Sequence, residues 1–122
     1  MRVARAVLTA TALLVLAATG CGGDGPLDRW GHYEGVLYDM YAHPGKADPA
    51  TQIAQLSEDI QRAQAEGERV PPGVHAHLGY MYYLQGNAEA AARELQTEKE
   101  LFPESAVFID RLLARLAAPA AP

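Results

Sequence analysis

Residues 72–105, PGVHAHLGYMYYLQGNAEAAARELQTEKELFPES, constrain the fold of this chain more than any other stretch. Leu78 and Tyr82 stand four apart and share one face of a helix. Gly79 and Ala91 lack bulk, which lets two helices approach closely. Gly86-Asn87 supplies a turn between them, with Asn87 as N-cap of the second helix. Pro103 ends that helix, because the residue before a proline is pushed out of the α region. A helical hairpin of 34 residues is the predicted unit.

The spacing of its residues resembles the tetratricopeptide (TPR) pattern. That pattern combines a large residue, a Leu-Gly pair, an aromatic, a small residue, a large apolar one and a proline, and these fall on His75, Leu78-Gly79, Tyr82, Ala91, Leu95 and Pro103. The chain departs from the pattern at three places. His75 stands where Trp is usual, Ala88 where an aromatic is common, and Glu98 where Ala is the norm. The departures bear on how tightly a following repeat stacks, not on the hairpin.

Residues 1–20, MRVARAVLTATALLVLAATG, carry Arg2 and Arg5 and then an apolar run without an acidic residue. This is the form of a secretory signal peptide, too short for a comfortable membrane span. It ends Leu16-Ala17-Ala18-Thr19-Gly20-Cys21, which resembles a bacterial lipobox, so Cys21 is expected to be lipidated with a diacylglycerol and an N-acyl chain such as palmitate. Cys21 is the only cysteine, and no intramolecular disulfide can form. Two or more acyl chains, at about 0.8 kcal/mol per buried CH2, anchor a domain without a transmembrane helix. Gly22 follows, and by resemblance to lipoprotein sorting in Gram-negative bacteria it implies the outer membrane, on its periplasmic face.

Residues 21–26 form a short tether, with a typical span of roughly 12 Å for its flexible part. The folded part is therefore expected to work close to the membrane. Cleavage leaves 102 residues, enough for one domain with a modest core. It also leaves 8 Lys and Arg against 15 Asp and Glu, a charge near −7. Such a domain suits neither nucleic acid nor anionic headgroups.

The helical domain is predicted over 27–118, with a disordered tail at 119–122. In its first helix Trp30, Tyr33, Leu37 and Tyr41 make one apolar stripe, with Asp28 as cap. His43-Pro44-Gly45 ends it. Asp48-Pro49 opens a second helix as N-cap and N1, burying Ile53, Leu56, Ile60 and Ala63. After the central hairpin, a last helix starting near Glu104-Ser105 is expected to bury Phe108, Leu112 and Leu116 and to cap the array. The expected fold is all-α, a short TPR-like array of about five helices, two hairpins plus a capping helix.

Catalytic chemistry has little material. The processed chain has two serines, Ser57 and Ser105, neither in a nucleophile elbow, and Ser105 reads as an N-cap. His75 and His77 lie two apart and point about 200° apart on a helix, so they do not share a metal; one packed and one exposed imidazole is expected. Glu58-Asp59, and Glu98 with Glu100 and Glu104, read as solvated helix faces rather than an acid-base pair. No catalytic residue, metal or small-molecule substrate is assigned.

The tyrosines are the more informative set. In the TPR resemblance, the groove positions fall on Ala76, Tyr80 and Tyr83, and Tyr38 extends the same surface. Tyr offers apolar area, a hydrogen-bonding tip and little rotamer entropy to lose. The alternative reading is that these rings cover a thin core.

Over the processed chain, Trp30-Gly31-His32-Tyr33, Pro72-Gly73-Val74-His75-Ala76-His77-Leu78-Gly79-Tyr80 and Glu98-Lys99-Glu100-Leu101-Phe102-Pro103-Glu104-Ser105 resemble a family of small TPR-like Gram-negative lipoproteins of unassigned function. Members are often encoded beside a lipoprotein resembling the curli secretion channel. The resemblance implies a non-enzymatic adaptor that docks on envelope lipoproteins and helps them assemble or localise. A peptidoglycan-associated structural lipoprotein and an enzyme of envelope polymers are the competing expectations.

Overall fold

The structure is a computed structural model that describes residues 28–45 and 48–118. The signal segment 1–20, Cys21 with its tether, Leu27, residues 46–47 and the tail 119–122 lie outside the described residues. Among the described residues there are five α-helices and no strand: α1 (Tyr33–Ala42), α2 (Pro49–Glu66), α3 (Val74–Leu84), α4 (Ala88–Leu101) and α5 (Ala106–Ala117), with a 3-10 turn at Pro103–Ser105 before α5. The all-α expectation holds.

Local signals set the ends of these helices. Asp48 accepts a hydrogen bond from the Thr51 backbone N–H at 3.0 Å and one from its hydroxyl at 2.6 Å, and Pro49 follows as the first helical residue of α2. Gly67 closes α2 in the left-handed region, φ 67°. Asn87 caps α4 by accepting from Ala90 N–H at 3.0 Å. α4 stops at Leu101, two residues before Pro103.

Each helix packs on the next, so α3 is flanked by α2 on one side and α4 on the other. The main core joins Tyr33 and Val36 of α1, Leu56 and Ile60 of α2, and Val74 and Leu78 of α3. Met81, Ala91, Leu95 and Ile109 continue the buried interior toward α5. Burying a side chain of this size contributes about 1.5–3 kcal/mol. The α3–α4 crossing is tight at Gly79: a Cβ there would lie 3.0 Å from the Ala91 carbonyl oxygen and 3.1 Å from Leu95 Cγ.

Both end helices differ from expectation. α1 begins at Tyr33, and Asp28 does not cap it; Asp28 lies 3.6 Å from Arg69 instead. Gly31 interrupts the chain with φ 47°, so Trp30 precedes the helix and stacks on Tyr33. The buried face of α1 uses Tyr33 and Val36, while Tyr41 is 79% exposed. In α5 the fully buried residue is Ile109, and Phe108 is 60% exposed. Leu112 and Leu116 of the expected set are half-buried, and Ile109 shares their side at i, i+3 and i+7, so only Phe108 falls off the inward side. Ser105 makes no side-chain cap; its hydroxyl donates to the Phe102 carbonyl at 2.7 Å.

Candidate functional site

α3 begins at a residue that has no side chain to cap it. Gly73 holds the N-cap position with φ 94°, and a Cβ there would meet the Tyr33 hydroxyl at 2.8 Å. The open N–H groups of the first turn are served from the next helix. Glu98 of α4 accepts from Gly73 N–H at 2.6 Å and from Ala76 N–H at 3.2 Å. A carboxylate at a helix N-terminus is favoured by both the free donors and the helix dipole. Glu98 is 3% exposed, so its reading as part of a solvated face is corrected. Burial, and after it the Glu98 charge, pushes the Tyr33 hydroxyl above its ordinary range.

Asp59 is the second carboxylate to correct. It is buried in α2 and holds the chain entering α1, accepting from His32 N–H at 2.6 Å and meeting His32 Nδ1 at 2.8 Å. Both carboxylates act on a neighbouring segment, a relation that helical periodicity alone does not carry.

His75 and His77 are both buried, against the expectation of one exposed ring. His75 Nδ1 lies 2.7 Å from Glu94 of α4. His77 Nε2 lies 2.8 Å from Gln52 of α2, with its ring edge-on to Tyr33. The 200° separation on α3 sends one ring to each flanking helix. Burial holds the His77 imidazole below its ordinary value. No group of three or more His, Cys, Asp or Glu among the described residues is placed to hold a metal.

The cleft that gathers predicted residues lies between α3 and α5. Tyr80, Tyr83 and Gly79 of α3 line it with Leu95 of α4 and with Leu112, Arg115 and Leu116 of α5, around about 190 Å³. Tyr80 and Tyr83 are half exposed and lie three apart on α3, which puts both rings on one side. Ala76 and Tyr38 are not among the lining residues. Ala76 sits half-buried in the first turn of α3, and Tyr38 lies exposed on α1, edge-on to His43. Sequence reasoning did not place α5 opposite Tyr80 and Tyr83 as a wall of the cleft. Its signal was the Leu112, Leu116 pair with Arg115 beside it, read as cap and core alone.

A shallower trough runs between α2 and α4. Gln64, His75 and Thr97 belong to both of its openings, of about 380 and 330 Å³. No described helix is long and apolar enough to cross a membrane.

Comparison with known proteins gives one match. A family model described as "Domain of unknown function (DUF4810)" covers residues 27–112, well over half of the chain. No curated protein and no solved structure matches it.

Proposed function

The chain belongs to this family of unassigned function, and from that premise we propose that it is a lipid-anchored adaptor at the periplasmic face of the outer membrane. In this reading α3 and α4 form a TPR-like repeat, α5 is its cap, and Cys21 carries the lipid. The adaptor docks on envelope lipoproteins, one resembling the curli secretion channel among them, and helps them assemble or localise.

The observation that supports this reading is the α3–α5 cleft. It is apolar, open, and contains two half-exposed tyrosines, the residue type that anchors protein interfaces. Its volume lies below the range of about 300–1,000 Å³ usual for small-molecule sites. Side chains of a docking protein fit such a space better than a whole metabolite does.

The test is a pull-down of the tagged native lipoprotein from detergent-solubilised outer membranes, compared with a Tyr80→Ala, Tyr83→Ala double variant. Both residues are half exposed, so the variant is expected to fold, and circular dichroism checks it. A channel-like lipoprotein retained by wild type and lost from the folded variant is the expected result. If wild type retains nothing specifically, the adaptor reading fails, and sedimentation with isolated sacculi then tests peptidoglycan association.

A further inference from the structure

One charged side chain lines the α3–α5 cleft, and from it we infer the chemistry of the partner. The cleft takes a segment of another protein that lays apolar side chains against Tyr80, Tyr83, Leu112 and Leu116 and sets an Asp or Glu carboxylate on Arg115. This inference rests on the adaptor reading above and narrows it.

The charge pattern of the domain carries the argument. Among the described residues Arg29, Arg62, Arg69, Arg93 and Lys99 each pair with a carboxylate. Arg111 and Arg115 of α5 have no such partner, and of these Arg115 lines the cleft. Arg115 is an exposed residue at the edge of an apolar floor, and the planar fork of a guanidinium matches a carboxylate. A position in the last turn of α5 also favours Arg115 through the helix dipole, by about 0.3–1 kcal/mol. Any position in that turn has this benefit, so it does not account for the placement at the cleft.

The processed chain has a charge near −7, which disfavours an acidic partner at long range. At physiological salt that repulsion is screened beyond about 8 Å. At contact the charge facing the partner decides, and in the cleft it is positive.

The test pans a random-peptide display library against the full lipoprotein in detergent micelles, as wild type, Arg115→Glu and the Tyr80→Ala, Tyr83→Ala double variant. Wild type is expected to enrich peptides that place Asp or Glu beside Leu or Phe. Arg115→Glu is expected to turn the preference toward Lys and Arg and to weaken a wild-type-selected acidic peptide roughly tenfold. The tyrosine variant is expected to lose both sets. Tyrosine-dependent peptides without acidic bias, or with a bias that Arg115→Glu leaves unchanged, overturn this inference and leave the adaptor reading standing. An absence of tyrosine-dependent peptides overturns both. Self-association that the tyrosine variant abolishes, measured by sedimentation, assigns the cleft to a second copy of the chain and likewise overturns the inference.

Discussion

Glu98 Oε1 accepts the Gly73 backbone N–H at 2.6 Å, so α4 supplies the cap that α3 lacks. The two residues lie 25 apart in the chain, and the bond ties a tertiary contact to the start of a helix. Its removal exposes the arrangement directly. Glu98→Ala leaves part-buried N–H groups without acceptors and is expected to cost about 1–3 kcal/mol, whereas Glu98→Gln keeps an acceptor and costs roughly half as much. Urea titration checks this as a drop in midpoint at constant slope. Equal midpoints for wild type and Glu98→Ala refute the cap.

Two glycines in helices are expected to respond to alanine with opposite sign. At Gly35 on α1 nothing lies within 4 Å of the added Cβ, and the gain in helix propensity, up to about 1 kcal/mol, stands alone. At Gly79 the same gain is opposed by contacts of 3.0 Å to the Ala91 carbonyl and 3.1 Å to Leu95. Overpacking against backbone costs about 1–3 kcal/mol. Thermal melts should therefore rise by a few degrees for Gly35→Ala and fall for Gly79→Ala.

The inward side of α5 is tested by a pair of neighbours. Ile109→Ala is expected to lose about 2–5 kcal/mol. Phe108→Ser, at an exposed position, should stay within about 0.5 kcal/mol of wild type. The reverse order in chemical denaturation would mean that α5 packs by its other side.

His77 gives the domain a component of acid sensitivity. Burial lowers its folded-state pKa from 6.5, so the unfolded chain binds the proton more readily. The stability it contributes is complete above about pH 6.5 and is lost as pH falls below that value. Between about pH 7 and about pH 5, wild type should lose more stability than His77→Leu does. Melting temperatures of both proteins at both pH values check the sign, and equal losses would refute it.

What the sequence made legible was whatever a few neighbouring residues decide. Asp48-Pro49, Asn87 and Pro103 mark helix ends through side-chain caps or a restricted backbone, and the helices begin or end there. Tyr80 and Tyr83 were legible as a pair because three residues of helix place them on one side. Asp59 and Glu98 were not, since a buried carboxylate is explained only by the donors that another segment brings to it. His75 and His77 show the same limit. Their opposite directions on α3 were readable, but not that a helix stands on each side. α1 misled because Gly31 breaks the run that Trp30 begins.

The polar pairs also have a meaning for the array as a whole. His32 with Asp59, Gln52 with His77, His75 with Glu94 and Lys99 with Asp110 put at least one polar contact in every seam between successive segments. A slip of one turn moves a helix by about 5.4 Å along its neighbour. Here such a slip strands the buried carboxylates of Asp59 and Glu98 away from their donors, and an unsatisfied buried polar group costs about 1–3 kcal/mol, more when it is charged. The seams therefore act as a key that admits a single alignment, and the cleft between α3 and α5 inherits its shape from that alignment.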